Sequence, residues 1–296
     1  RREDGIPEGM EEIMTKIDLV FNDIDGCFGN FKKPKAYPEK QSLTGHEDLL
    51  ANIKAFVEAH PEVKFSSCTG RSLYLCDNII EATGMNEISA VEMGQEIYNP
   101  LTKECYGLLR RLYGERREKS GLTLLRHWTE VADGLREFMQ TSAQYYDYPL
   151  KLFFRGSNIR RMQDNRAMLT YEFDDVITGE AVFQFMEPHL YESVRNGIKE
   201  GIIKVVPSKK AVDVRTFINK GHAIDHILEK LKRTGEACLG IGDSYHSDID
   251  MLNCCEHVAC PANSDDKLKD YVSGRKGHIA RQTFGEGVLE IYGTLI

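Results

Sequence analysis

Several features that mark specialised proteins are missing from this sequence of 296 residues. No apolar run approaches the roughly 18 residues that a membrane-spanning helix needs, so we expect no contact with a membrane. The eight cysteines form no Cys-x-x-Cys pair, which argues against zinc and dithiol chemistry. They lie mostly inside apolar runs, and as small buried side chains they fit the reducing cytoplasm. No secretory signal is visible, although the chain starts at Arg1, which leaves its native start open.

Positive charge is also scarce. The chain has 38 Lys and Arg against 46 Asp and Glu, a formal net charge of −8. A general nucleic-acid binder needs a basic face, so we expect no nucleic-acid partner. A small anionic substrate remains compatible with this charge, because a bound metal ion and a lysine can dominate the field inside one site.

The stretch that organises the rest of the sequence is residues 17–27. A short apolar run leads there to Asp23 and Asp25 and then to Gly26. Such a run, bounded by turn residues, predicts a buried strand of a parallel sheet, and catalytic groups gather at the carboxyl edge of such sheets. Two carboxylates so close together are costly unless a cation neutralises them, which favours a hard ion such as Mg²⁺. Taken alone, the pattern is more simply explained as an acidic turn.

Strand and helix patterns alternate in both terminal parts of the chain. The first part predicts a helix over 45–59, a strand over Val63–Cys68, a helix over 71–83 and a strand over Ile88–Met93. The alternation stops near residue 98 and resumes at Lys220, where a helix, the strand Ala237–Ile241 and further helices follow. This order predicts the α/β class, with a parallel sheet flanked by helices.

The middle of the chain has a different pattern. It predicts a long helix over 122–145, strands at Leu150–Phe154 and Ala167–Phe173, a helix near 179–200 and strands at Ile202–Val206 and Ala211–Phe217. We therefore expect a discontinuous α/β core of residues 1–97 and 216–296, with an α+β domain of residues 98–215 inserted into it. Within the insert, Arg155, Arg160 and Lys209 are candidate substrate contacts, and a solvated surface explains them equally well.

Side chains suited to phosphoryl transfer stand at element ends of the α/β part. Asp23 can attack phosphorus as a nucleophile, giving an aspartyl-phosphate that water then hydrolyses. Asp25 can protonate the leaving oxygen and later deprotonate the water. Thr69 offers a hydroxyl and a backbone N–H at a helix start, where anions bind readily. Lys220, also at a helix start, supplies positive charge to the transferring oxygens.

Two further carboxylates follow the predicted strand Ala237–Ile241. Asp243 and Asp248 lie at the end of this strand and the start of the next helix, where they are placed to hold Mg²⁺ together with Asp23. The metal ion would bridge phosphate and nucleophile and so lower the repulsion between two anions.

In order and context, these segments resemble the motifs of the haloacid dehalogenase-like superfamily of phosphohydrolases. The four segments are Asp23-Ile24-Asp25-Gly26, Thr69-Gly70-Arg71, Lys220-Gly221-His222-Ala223, and Gly242-Asp243-Ser244 with Asp248. The resemblance implies a Rossmann-like core and a type-two cap between the second and third motifs, similar to the caps of Cof-type and trehalose-phosphate phosphatases. It also implies that the substrate is a small phosphorylated metabolite, most simply a sugar phosphate.

The resemblance further assigns roles to individual residues. Phosphate is held by Asp23, Thr69, Gly70 and Lys220. Mg²⁺ is bound by the carboxylates of Asp23 and Asp243 and by the backbone carbonyl of Asp25. Asp248 either ligates the ion through water or holds Lys220.

Two alternatives remain open beside a phosphatase, and a third, a thiol enzyme, is weak because Cys68 is more simply a core residue. A phosphomutase or another phosphotransferase uses the same nucleophile and differs by excluding water, which the sequence does not reveal. A catalytically silent scaffold protein would have no chemical need for Asp23, Asp25, Lys220 and Asp243. A thiol enzyme built on Cys68 lacks an evident histidine partner. The oligomeric state is equally open.

Overall fold

The computed structural model describes residues 16–31, 41–142, 160–161, 168–172, 179–207 and 211–296. Its strands are β1 Leu19–Asn22, β2 Lys64–Ser67, β3 Ser89–Val91, β4 Glu96–Tyr98, β5 Cys105–Gly107, β6 Arg160–Arg161, β7 Met168–Glu172, β8 Ile203–Pro207, β9 Ala211–Thr216, β10 Cys238–Ile241, β11 His257–Cys260 and β12 His278–Ile279. Its helices are α1 Glu47–Ala59, α2 Leu73–Ala82, α3 Leu108–Ser142, α4 Gly179–Met186, α5 Glu192–Lys199, α6 Lys220–Leu231, α7 Tyr245–Leu252, α8 Asp266–Gly274 and α9 Phe284–Leu295. Over these ranges, no helix combines the length and the apolar character that crossing a membrane requires.

Five parallel strands form the central sheet, in the order β12-β11-β10-β1-β2. Strand β1 is buried along its whole length, as expected where helices cover both faces of a sheet. Its side chains alternate between the two faces: Val20 packs in the cluster that contains Ile53 and Ile79, whereas Leu19 and Phe21 pack on the other side with helix α6. The predicted α/β class, with a helix-flanked parallel sheet, is confirmed.

The register of β1 against its two neighbours brings three strand ends to one level. Asn22 ends β1 and lies opposite Ser67, which ends β2, and opposite Ile241, which ends β10. The residues that follow these strands therefore meet at the carboxyl edge of the sheet, where open α/β sheets place their ligand sites.

A second sheet, of the short antiparallel strands β3, β4 and β5, carries the chain away from the core. The prediction that Ile88–Met93 continues the parallel sheet is therefore wrong in part, since β3 pairs with β4 and its only backbone pairing beside β2 is the isolated parallel bridge between Cys68 and Ala90. The strand stops because Glu92, Met93 and Gly94 turn the chain back at φ angles of 52°, 57° and 88°. Left-handed backbone of this kind is costly for residues other than glycine.

The inserted segment contains a four-stranded antiparallel sheet in the order β6-β7-β9-β8. Helix α3 packs on this sheet and buries Leu125 and Trp128 against a separate cluster that includes Val194, Val212 and Val214. This cluster shares no residue with the two clusters of the parallel sheet. The expected α+β character of the insert is thus present, while the exact boundaries at residues 98 and 215 remain a prediction.

Two helices of the insert differ from the sequence prediction, and one predicted strand lies outside the described residues. Helix α3 begins at Leu108 and is interrupted at Gly114, where φ is 82°, because charged residues hide its first turns from an apolar pattern. The helix predicted near 179–200 is split at the turn Glu187–His189, which contains a proline. The strand predicted at Leu150–Phe154 falls in the part of the chain that is not described.

Trp128 provides a test of the packing between α3 and the inserted sheet. Its side chain is fully buried, and its ring stacks on Phe183 with centroids 6.2 Å apart. We expect Trp128→Ala to lower the free energy of unfolding by about 3–5 kcal/mol through lost contacts and a residual cavity. The measurement is urea unfolding followed by far-ultraviolet circular dichroism, with Trp128→Phe as the milder control. A loss of less than about 1 kcal/mol for the alanine variant would contradict this packing.

Candidate active site

Lys220 lies at the centre of the site. Its side chain is 1% exposed, and its Nζ donates to Asp23 Oδ1 at 2.8 Å and to Asp248 Oδ1 at 2.6 Å. Burial alone would lower the pKa of Lys220, but the carboxylates of Asp23 and Asp248 outweigh it and raise the pKa well above the ordinary value. The lysine is therefore a permanent cation that joins two carboxylates from distant parts of the chain.

The position of Lys220 follows from the start of helix α6. Asn219 caps this helix, and its side chain accepts a hydrogen bond from the backbone N–H of His222 at 2.9 Å. Gln95 fixes the segment before the cap, since its Nε2 donates to the carbonyl of Ile218 at 2.6 Å. Gln95 also accepts a hydrogen bond from Thr216, so this buried side chain ties the strand that leaves the core to the segment that returns.

Asp248 uses both of its oxygens inside the protein. Its Oδ1 accepts from Lys220, and its Oδ2 accepts from the backbone N–H groups of Asp243 at 2.9 Å and Ser244 at 3.0 Å. The carboxylate is fully buried. Of the two roles implied for Asp248, the contact with Lys220 is thus seen directly.

Asp23, Asp243 and Asp248 form a compact carboxylate cluster, in which each offers one oxygen within 4.8 Å of the others. Burial raises the pKa of Asp23 to about 7, although Lys220 opposes the shift. Burial and the nearby Asp23 raise the pKa of Asp243 to about 8. Both shifts mean that ionising these buried, neighbouring carboxylates together is costly without a further cation.

A divalent cation fits this charge and this chemistry. When Asp23, Asp243 and Asp248 are all ionised, their three carboxylates face the single cation Lys220, which leaves two negative charges to be neutralised. Carboxylate oxygens are the ligands that Mg²⁺ prefers. The arrangement is therefore suited to a hard divalent ion held by Asp23 and Asp243.

Gly26 allows Asp243 to approach the first loop. Its φ is +73°, and a Cβ at this position would lie 1.9 Å from Asp243 Oδ2. The loop is held from the other side by Asn263, whose Nδ2 donates to the carbonyl of Gly26 at 2.8 Å. Asn263 was not identified from the sequence, because an isolated asparagine after a strand carries no pattern that distinguishes it from a turn residue.

The second motif contributes Thr69 and Gly70. Helix α2 begins only at Leu73, and the backbone N–H of Thr69 donates to the carbonyl of Ala90 at 3.0 Å. The predicted anion contact through this N–H is therefore wrong, because the group serves the bridge between β2 and β3. The hydroxyl of Thr69 accepts from the backbone N–H of Arg71 at 3.2 Å and remains the candidate phosphate contact. Gly70 is half-buried beside Met93.

Asp25 lies outside the carboxylate cluster and has a different partner. Its side chain is 46% exposed and is bound by both ends of the Arg71 guanidinium, with Nη2 to Oδ1 at 2.7 Å and Nε to Oδ2 at 2.8 Å. The sequence placed Arg71 in the second motif but gave no indication of this contact. The two motifs are thus joined by an ion pair.

The three substrate candidates of the insert keep their status as predictions. Arg155 and Lys209 lie outside the described residues. The backbone of Arg160 pairs with Glu172 in edge strand β6. The thiol alternative loses support, because Cys68 is fully buried and burial raises its pKa far above the ordinary value.

Two comparisons of sequence bear on the family. Residues 160–286 match the sequence model of a family described as haloacid dehalogenase-like hydrolase. No curated protein matches the chain.

Solved structures match the chain over nearly its whole length. A protein from Thermoplasma acidophilum has a TM-score of 0.58 at 16% identity, covering 95% of this chain and 98% of its own. The sucrose-phosphatase of Synechocystis sp. PCC6803, solved with sucrose and phosphate, has a TM-score of 0.58 at 18% identity with the same coverage. A protein analysed among phosphatases of the haloalkanoate superfamily, from Bacteroides thetaiotaomicron, has a TM-score of 0.55 at 14% identity and 99% coverage of both chains. At these identities the likeness establishes the fold, and together with the family match it confirms the resemblance found in the four motifs.

The buried lysine can be tested without any assumption about catalysis. Lys220→Met leaves the carboxylates of Asp23 and Asp248 buried without their cation, so we expect a loss of about 3–5 kcal/mol in the free energy of unfolding. Urea unfolding at pH 8 with a chelator present measures this loss. The matched control is Lys54→Met, because the Lys54–Glu58 pair is exposed and 3.8 Å apart, and its removal should change stability by no more than about 0.5 kcal/mol. Equal effects of the two substitutions would contradict the ion-pair geometry.

Proposed function

We propose that this chain, which has the haloacid dehalogenase-like fold and matches that family over residues 160–286, is a Mg²⁺-dependent phosphatase of a small phosphate monoester. The observation that carries the proposal is the carboxylate cluster of Asp23, Asp243 and Asp248 around Lys220 at the carboxyl edge of the parallel sheet. This combination offers a nucleophile, a cation and ligands for a hard metal ion within one small volume.

In the first half-reaction, a carboxylate oxygen of Asp23 attacks phosphorus. The new oxygen–phosphorus bond forms as the ester bond breaks, and the leaving oxygen takes a proton from Asp25. Lys220 neutralises and orients the Asp23 carboxylate through its contact with Oδ1. Thr69 offers its hydroxyl to a phosphate oxygen, beside Gly70.

In the second half-reaction, water attacks the aspartyl-phosphate. Asp25 accepts the proton of the water, the bond between phosphorus and Asp23 breaks, and inorganic phosphate leaves. Asp25 thereby returns to the protonated form in which it began. A bound Mg²⁺, held by the carboxylates of Asp23 and Asp243 and the carbonyl of Asp25, would supply Lewis-acid stabilisation of the phosphate charge.

We further propose that residues 98–215 form a cap over this site, and that the substrate is a sugar phosphate or a related cytoplasmic metabolite. The short sheet of β3, β4 and β5 leads the chain into the insert. Hydrogen bonds of Gln95 with Thr216 and Ile218 join the segment that enters the insert to the segment that leaves it. A site between two domains suits a small ligand. The sucrose-phosphatase of similar fold, which was solved with sucrose and phosphate, supports this class of substrate.

Phosphate release from a panel of sugar phosphates, nucleotides and an aryl phosphate tests the activity. We expect turnover with Mg²⁺ and a loss of at least about 10³-fold in Asp23→Asn, because the amide cannot act as the nucleophile. Intact Mg²⁺ binding without release of phosphate, together with transfer of phosphate between sugar positions, would instead identify a phosphomutase. If there is neither turnover nor Mg²⁺ binding, the chain is not a phosphatase and the scaffold alternative is favoured.

Metal binding can be tested separately from turnover. We expect Mg²⁺ at 100 times its dissociation constant to stabilise the protein by about 2.7 kcal/mol, and excess chelator to remove this gain. Thermal unfolding with and without Mg²⁺ measures it. Asp243→Asn should abolish the gain, whereas Asp18→Asn should retain it, because Asp18 precedes β1 at the opposite edge of the sheet and pairs with Arg233. A gain that survives in Asp243→Asn would place the ion elsewhere.

A further inference from the structure

The contact between Arg71 and Asp25 carries a role that the four motifs do not assign. We propose that Arg71 is a positioning residue, which fixes the orientation of the Asp25 carboxylate for proton transfer and does not itself contact phosphate. This inference rests on the proposed function of Asp25 as acid and base, and it deepens that function by naming the group on which its orientation depends.

Arg71 binds the Asp25 carboxylate in a bidentate geometry. Arg71 Nε lies 2.8 Å from Asp25 Oδ2, and Arg71 Nη2 lies 2.7 Å from Asp25 Oδ1. A guanidinium that binds both oxygens of a carboxylate fixes its plane as well as its distance, which a single contact from a lysine cannot do. Each carboxylate oxygen keeps a further lone pair that can face a reacting group.

The guanidinium is itself firmly held. Its Nη1 donates to Gln41 Oε1 at 2.7 Å, and its Nη2 also donates to the carbonyl of Phe31 at 3.2 Å. The ring of Phe31 lies 5.6 Å from Arg71 Cζ, within reach of a cation–π contact. The backbone of Arg71 is fixed as well, because its N–H donates to Thr69 Oγ1 and its carbonyl accepts from the N–H of Glu92.

The burial of Arg71 and the number of its N–H groups that already have partners favour a positioning role over phosphate binding. The Arg71 side chain is 2% exposed, whereas the Asp25 side chain that it holds is 46% exposed. Of the five N–H donors of a guanidinium, four already have partners in Asp25, Gln41 and Phe31. A buried cation with this many partners is poorly placed to bind substrate, while the half-exposed carboxylate in front of it is accessible.

A positioning role predicts a specific kinetic pattern. Proton transfer matters most for esters with poor leaving groups, such as sugar phosphates, and least for an aryl phosphate whose leaving group needs no proton. Loss of Arg71 should therefore slow the first kind of ester more than the second. If Arg71 bound phosphate, its loss would instead weaken the binding of both esters.

The test compares p-nitrophenyl phosphate with the sugar phosphate that the unmodified protein hydrolyses fastest. In Arg71→Met we expect the ratio of kcat for the sugar ester to kcat for the aryl ester to fall by about 10- to 100-fold, with both KM values within about twofold. Arg71→Lys should lower the ratio less. The double variant of Arg71→Met and Asp25→Asn should be no slower than Asp25→Asn alone, because both substitutions remove the same contribution.

Two further variants guard against loss of folding. Arg233→Met removes a more exposed arginine–aspartate pair, in which Arg233 Nη1 lies 2.7 Å from Asp18 Oδ1 at the far edge of the sheet, and it should leave the ratio unchanged. Gln41→Leu loosens Arg71 without altering the ion pair itself, and it should lower the ratio by a smaller factor even if the Arg71 variants do not fold.

Four outcomes would overturn the inference. An equal loss on both esters, a rise in both KM values, or fully additive effects of the Arg71 and Asp25 substitutions would each do so. A faster sugar-ester reaction in Arg71→Met would do so as well, because it would mean that Arg71 restrains Asp25 away from the substrate.

If the unmodified protein releases phosphate from neither ester, the proposed function fails and this inference fails with it. If it hydrolyses both esters and only the ratio is unaffected, the inference alone fails.

Discussion

The structure depends on one buried charge, the ammonium of Lys220 between the carboxylates of Asp23 and Asp248. A lysine this deeply buried is tolerable only because two anions accompany it, and the anions are tolerable only because of the lysine. Asp23 directly follows the first strand, Lys220 begins the helix that follows the insert, and Asp248 belongs to the last motif. Bringing Asp23 and Asp248 together requires β1 and β10 to be parallel neighbours, since this pairing sets their carboxyl ends side by side.

Much of this could be predicted from the sequence, because the relevant signals are local. Apolar runs that end in Asp23 and Asp243 mark the strand ends. Because the strands of an α/β sheet are parallel, these ends are expected at the same edge of the sheet. The contacts of Arg71 with Asp25 and of Asn263 with Gly26 could not be predicted. Each joins two segments that are distant in the sequence, and the local pattern of one segment does not indicate the other. The short strands β4, β5, β6 and β12 also escaped prediction, because two or three residues hold no period.

The predicted strand Ile88–Met93 ends early for a physical reason, which also connects the start of the insert to the second motif. Glu92 and Met93 adopt left-handed backbone, which a sequence-based prediction does not expect of such residues. Their N–H groups donate to the carbonyls of Arg71 at 2.8 Å and Thr69 at 3.0 Å, and these hydrogen bonds hold the turn in place. The loop of the second motif is therefore also the support on which the chain leaves the parallel sheet.

The two aspartates of the first motif are two residues apart, yet their surroundings suit them to different tasks. Asp23 is buried, and its pKa is raised although a lysine contacts it, so a second cation would be needed to keep it an effective anion at neutral pH. Asp25 is half-exposed and is held by a planar guanidinium that fixes its orientation and leaves it accessible. The nucleophile proposed here would benefit from the first environment, because exclusion of water and a metal ion bound beside it would favour attack on the phosphate anion. The proton carrier proposed here would benefit from the second, because it would have to reach both the leaving oxygen and the incoming water. Gly26, whose positive φ turns the chain directly after Asp25, lets the loop pass close to Asp243 before the chain is buried again at Cys27 and Phe28.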